Sequence, residues 1–111
     1  MARIKLKFHD KTYIIEYANR IEVKQYFAEL TQLKDDDDKD IASGVKKLVL
    51  LIKAGLVEHH KDDMPSDEEI ERWATSMPDA KKFFDKLMSM VQEVVSLIDD
   101  DAKNLSWEVE N

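Results

Sequence analysis

Apolar residues recur every three or four positions between residues 79 and 99, which is the repeat of an amphipathic α-helix of about five turns. A helix this long and one-sided has to bury its apolar face against other elements of the chain. The residues that carry the repeat are Ala80, Phe83, Phe84, Leu87, Met88, Val91, Val94, Val95 and Ile98.

The N-terminal segment has a different repeat. Ile4, Leu6 and Phe8 alternate with charged residues, and a second alternating run follows after His9 and Asp10, so residues 3–17 are predicted to form a β-hairpin. A lone hairpin is only marginally stable in water. It must therefore lie on the helices or pair its edge with another copy.

Three more helices are predicted, at residues 20–33, 41–58 and 67–77. The one at 41–58 is apolar nearly all round, so we expect it either at the centre of the fold or in a subunit interface. Ser66 followed by Glu69 is typical of a capping box at the start of the third of these helices. Asn19 followed by Glu22 indicates a similar cap for the first.

These elements predict an α+β fold that is predominantly α, with an N-terminal β-hairpin followed by about four helices, the last one long and amphipathic. With 111 residues, the chain is long enough for one domain with a single core. We expect a globular domain over residues 1–101 and an acidic C-terminal tail over residues 102–111. Because water does not favour large apolar side chains, Leu105 and Trp107 in this tail are expected to dock, either on this chain's own core or on another chain.

The net charge of −7 is unevenly distributed. Residues 1–34 hold seven Lys and Arg against four Asp and Glu, whereas residues 35–111 hold ten against twenty. The longer acidic part would repel a polyanion, so we expect no nucleic-acid partner. The same division permits head-to-tail contact between copies, although acidic, solvated helix faces would also produce it.

Membrane insertion and secretion are not expected. The longest nearly apolar run, residues 48–56, contains Lys53 and is far shorter than the roughly 20 residues that cross a bilayer. The first residues lack the continuous apolar core of a secretory signal, which favours a cytoplasmic protein. Cys is absent, which excludes disulfides, a thiolate nucleophile and a Cys-based zinc site.

A histidine pair and an aspartate run each resemble a metal site in part. His59 and His60 with Asp62 and Asp63 resemble a ligand cluster, but adjacent side chains on a helix diverge. We favour histidines at a helix C-terminus, where positive charge is stabilising. The run Asp35–Asp40 does not match an EF-hand, whose sixth position should be Gly, and we expect it to be an exposed loop. No nucleophile has a convincing base, so we expect no enzyme activity, metal or cofactor.

Several segments and a closing motif are shared with a known family. The segments are Tyr13–Tyr17, Leu51–His60, Glu68–Ile70 and Ser76–Asp79. The closing motif is Lys103-Asn104-Leu105-Ser106-Trp107-Glu108. Together they resemble the tail assembly chaperones of long-tailed (siphovirus-type) phages and prophages. The likeness covers roughly residues 1–20 and 48–108 and departs from that family at the acidic stretch 34–44.

The resemblance implies a non-enzymatic function. Members accompany the long, apolar, helical tape measure protein, keep it soluble and help deliver it to tail tube subunits. In many such phages ribosomal frameshifting makes a longer form whose extension contacts the tube protein. Such a chaperone acts in the cytoplasm of the bacterial host and is absent from the finished virion.

On this hypothesis, two sets of apolar residues bind partners. Leu105 and Trp107 form a detachable anchor, and a second set makes a groove for the client or a contact between copies. That second set is Val49, Ile52, Leu56, Phe84, Leu87 and Val91. Two alternatives stay open, namely a structural or regulatory adaptor that dimerises through the hairpin edge or the central helix, and a small hydrolase with a metal at His59–Asp63.

Overall fold

A two-stranded antiparallel sheet followed by four helices makes up the part of the chain that the computed structural model describes, residues 2–33, 41–106 and 108–109. The side chains of residues 41–43 and 97–102 lie outside this description. The predicted α+β, mostly α fold is confirmed. The elements are β1 (Ile4–Phe8), β2 (Lys11–Ile15), α1 (Ile21–Gln32), α2 (Ile41–His60), α3 (Asp67–Ser76) and α4 (Ala80–Asn104).

The hairpin turns over two residues, His9 and Asp10, and His9 has a positive φ of 56°. Positive φ is what a two-residue hairpin turn needs to match the twist of its strands. Leu6 lies opposite Tyr13, and both are buried against the helices. Lys5 and Lys7 on the other face are exposed, so the hairpin lies on the helices with one face, as the alternation predicts.

Helix α2 is at the centre of the fold, which is one of the two positions expected from its sequence, and it contacts α1, α3 and β2. Its Leu51, Ile52 and Leu56 are almost completely buried. The hairpin approaches closely at Gly55, whose carbonyl accepts a hydrogen bond of 2.9 Å from the backbone N–H of Glu16. The nearly all-round apolar sequence of α2 is therefore explained by cover from its own chain.

The sequence predicts helix caps at Ser66 and at Asn19, and the structure shows only the first. Ser66 Oγ accepts a hydrogen bond from the backbone N–H of Glu69 at 3.2 Å, which confirms this half of the predicted capping box. The cap predicted at Asn19 is wrong, because α1 is preceded by Arg20 as N-cap and no side chain caps it. The chain enters α1 one residue later than the capping pattern requires, so the Asn19 side chain does not reach the free N–H groups.

Helix α4 is longer than predicted. Its sequence-predicted end was residue 99, at the start of an acidic run, but the helix continues to Asn104. Lys103 lies in the last turn, where a cation stabilises the negative end of the helix dipole. The tail that was predicted to begin at residue 102 therefore begins at Leu105.

Candidate functional site

Three of the six residues predicted to form a groove lie in the core instead. Ile52, Leu56 and Leu87 each have 0% of their surface exposed. Their apolar patterns reflect packing of α2 and α4 within this chain, so they cannot offer a surface to a partner unless the fold opens. This is a correction to the sequence-based hypothesis.

The other three predicted residues, Val49, Phe84 and Val91, are half-buried. The last two belong to a row along α4 at positions i, i+4, i+7 and i+11, which is the spacing of a coiled-coil seam. We call this row the outer stripe. It consists of Phe84, Met88, Val91 and Val95.

The outer stripe lies beside a second row on α4 that faces inward. Leu87, Met90 and Val94 of the inward row are buried, whereas no member of the outer stripe is fully buried and Val95 is 44% exposed. Phe84 also lines a surface depression of about 610 Å³, together with Leu48 of α2. The apolar surface of α4 is thus wider than this chain's own core covers.

A second apolar concavity, the hairpin groove, lies between β1 and the end of α3. Its volume is about 400 Å³. The rings of Phe8 and Trp73 have centroids 5.6 Å apart, and Trp73 Nε1 is buried with no hydrogen-bond partner among the described residues. The lining residues are Leu6, Lys7, Phe8, Arg72, Trp73, Ser76, Met77 and Pro78.

The two edges of the sheet differ in whether their outward backbone groups have hydrogen-bond partners. At the β2 edge the backbone N–H of Ile14 donates to His60 Nε2 at 2.9 Å. Lys5 is the register partner of Ile14, and in such a non-hydrogen-bonded pair both residues turn their backbone groups away from the other strand. The same holds two residues on, at Lys7. Within residues 2–33, 41–106 and 108–109, no hydrogen bond reaches the backbone of Lys5 or Lys7, so the β1 edge is open.

The histidine pair ends α2, as predicted, and ties that end to the hairpin. His60 Nε2 accepts from Ile14, so the ring proton is on Nδ1, which donates to Asp63 at 3.2 Å. His59 Nε2 lies 3.0 Å from Glu16 Oε1. These contacts give both imidazoles a structural role that couples the helix to the second strand.

The carboxylates in this cluster are stabilised in their charged form. Hydrogen bonds from His59 and then Arg3 lower the pKa of Glu16, and hydrogen bonds from Lys11 and then His60 lower that of Asp63. Among the described residues, no group of three or more His, Cys, Asp or Glu side chains is placed to hold a metal ion.

The tail beyond α4 keeps its apolar side chains in solvent where they are described. Leu105 is 78% exposed and Val109 is 73% exposed. Trp107, the predicted anchor, and the run Asp35–Asp40 lie outside the described residues. Leu105 therefore does not dock on this chain's own core.

Sequence reasoning missed the hairpin groove, because its two walls are about 65 residues apart in the sequence and no local repeat signals their contact.

Over the described residues, none of the helices is long and apolar enough to cross a membrane. Comparisons of the chain with models of protein families, with curated proteins and with solved structures found no match.

Proposed function

We propose that this chain is a non-enzymatic tail assembly chaperone of a long-tailed phage or prophage. It binds and solubilises the tape measure protein in the cytoplasm of the bacterial host and helps recruit tail tube subunits, the latter through a frameshifted longer form. It dissociates before the virion is complete. The sequence resemblance described above supports this proposal, and the outer stripe of α4 is the structural observation that carries it.

The outer stripe suits a helical apolar client. A second helix can lay its own apolar seam along residues spaced as Phe84, Met88, Val91 and Val95 are. Such a client has to be shielded from water along its length, and a half-exposed row on a long helix offers continuous cover. The net charge of −7 keeps the resulting complexes apart in solution.

Co-expression with tape measure fragments tests the proposal. Val95→Glu places a charge in the exposed part of the outer stripe, where client binding would bury it, so we expect affinity to fall by about tenfold or more. Gln92→Glu adds the same charge at an exposed position in the same turn and should bind as the wild type does. The measurement is the soluble fraction of the fragment.

Two results would contradict the proposal. One is a tape measure fragment that is equally soluble without this protein. The other is a Val95→Glu variant that protects the fragment as well as Gln92→Glu does. The gene neighbourhood provides an independent check, because the proposal expects a slippery frameshift sequence at the end of the gene, followed by a very large open reading frame.

The open β1 edge favours the alternative of an adaptor that dimerises through its hairpin. Dimerisation through the central helix has less support, because α2 is enclosed by the hairpin, α1 and α3. Light scattering distinguishes the two functions. A closed dimer of fixed mass that leaves tape measure solubility unchanged would identify the adaptor.

A further inference from the structure

We propose that residues 105–110 of one copy bind a second copy of this chain as a third strand, added at the open edge of β1, with their apolar side chains in the hairpin groove. This proposal goes beyond the chaperone function, because it concerns binding between copies and needs no client.

The backbone of β1 provides the first part of the site. The N–H and C=O groups of Lys5 and Lys7 point away from β2 and have no hydrogen bond among the described residues. An extended segment that lies beside β1 would pair with these groups, as in other cases of strand addition at a free sheet edge. The edge formed by β2 and Glu16 is already covered. The backbone N–H of Ile14 donates to His60, and that of Glu16 donates to the Gly55 carbonyl.

Residues 105–110 have the alternation that such a strand needs. Leu105, Trp107 and Val109 would point to one face and Ser106, Glu108 and Glu110 to the other. In β1, Leu6 and Phe8 face inward, whereas Lys5 and Lys7 face outward.

Side chains on the same face of neighbouring strands lie side by side. When the apolar residues of the segment face the groove, its two glutamates fall on the face that carries Lys5 and Lys7. Opposite charges then meet on the outer face, while apolar residues meet on the inner one. A register shifted by one residue would turn the glutamates toward the groove and bury them. The alternation therefore favours the arrangement in which Leu105, Trp107 and Val109 face the groove.

The hairpin groove is large enough for an aromatic side chain. Its volume of about 400 Å³ lies within the range of about 300 to 1,000 Å³ typical of pockets that hold organic ligands. Phe8 and Trp73 provide aromatic surface in the groove, and Arg72 adds positive charge to its lining. These features suit an acidic segment with a central Trp.

The geometry requires that the segment come from another copy. Helix α4 has 25 residues and is therefore about 37 Å long, and it begins two residues after Pro78 in the groove lining. The five residues from Asn104 to Val109 reach at most about 18 Å when fully extended. A chain therefore cannot fill its own groove, which agrees with the exposure of Leu105 and Val109.

The proposed contact joins two different surfaces, so each copy can bind one neighbour through its groove and another through its tail. Such heterologous contacts generate open-ended assemblies unless the rotation between copies closes a ring. Sedimentation velocity of the full chain, from low micromolar to millimolar concentration, should therefore show species that grow with concentration.

Two variants separate the two surfaces. Trp107→Ala removes the anchor and keeps the groove, and it should weaken association by about thirtyfold, as for a central aromatic in an interface. The double substitution Lys5→Glu with Lys7→Glu repels the segment and keeps the tail. Because both lysines are exposed, the fold should persist, which circular dichroism verifies. Lys24→Glu with Lys86→Glu, at exposed sites on α1 and α4, is the matched control and should assemble as the wild type does.

Mixing the two variants gives the decisive measurement. The intact groove of Trp107→Ala and the intact tail of the lysine double variant should form one-to-one dimers and nothing larger. Adding Glu108→Lys and Glu110→Lys to the lysine double variant should restore growth. A wild type that is monomeric at millimolar concentration, a Trp107→Ala variant that associates like the wild type, or a mixture without dimers would overturn the proposal.

Discussion

At the scale of single residues, Gly55 determines how closely the hairpin approaches α2. A Cβ atom at this position would clash with Ile15 Cγ2 and lie 3.4 Å from Tyr17 Cε1. Both neighbours are fully buried, so neither can move aside without disturbing the core. The backbone hydrogen bond from Glu16 to the Gly55 carbonyl depends on this close approach.

Gly55→Ala is expected to destabilise the fold. Overpacking typically costs about 1 to 3 kcal/mol, which outweighs the roughly 1 kcal/mol that Ala gains over Gly in a helix. Gly44 is a matched control on the same helix, because a Cβ there would meet nothing within 4 Å. Gly44→Ala should be neutral or stabilising in urea unfolding, and equal effects of the two substitutions would contradict this account of the hairpin contact.

Glu16 makes the free energy of unfolding depend on pH in the acidic range. Its pKa is lowered from 4.5, first by the hydrogen bond from His59 and then by that from Arg3, so the unfolded chain takes up its proton at higher pH than the folded one does. The stabilising contribution is therefore fully present above about pH 4.5 and is lost as the pH falls through the lower, folded value.

In the Glu16→Gln variant, the unfolding free energy should consequently fall less steeply than in the wild type as the pH drops below about 4.5. Urea unfolding at neutral and acidic pH measures this slope. Glu93→Gln is the control, because it removes one exposed carboxylate that takes part in no ion pair between described residues. A Glu16→Gln slope as steep as that of the wild type would show that the His59 and Arg3 contacts do not form in solution.

At the scale of elements, local patterns were sufficient for the type and order of the strands and helices. The alternation around Leu6 and the capping by Ser66 both act between neighbours in sequence, and the structure shows both. The sequence predicts the end of α4 too early, because the carboxylate run at 99–101 is typical of a terminus, whereas Lys103 stabilises a later one.

Which side of a wide apolar helix faces the core was not predictable. Leu87 and Phe84 belong to the same repeat in sequence, yet the first is buried and the second lies in the outer stripe. The difference arises from the elements that pack on α4, which are distant in sequence. For the same reason the bond from Ile14 to His60, 46 residues away, has no local signal.

At the scale of the whole molecule, the apolar tail residues that the structure describes do not pack on the domain. Leu105 and Val109 are exposed, so their removal leaves no cavity. A chain truncated after Asn104 should therefore keep its unfolding free energy within about 0.5 kcal/mol, measured in urea at low protein concentration. A loss of about 1 to 3 kcal/mol would instead show that the tail packs on its own core.

The length of α4 determines how occupancy of the hairpin groove depends on protein concentration. A flexible segment that can reach a site on its own chain has an effective concentration there in the millimolar range, whereas one that cannot span the distance has an effective concentration near zero. Helix α4 places this chain in the second class with respect to the hairpin groove. Occupancy of the groove is then set by protein abundance alone, so dilution empties it and accumulation of newly synthesised copies fills it.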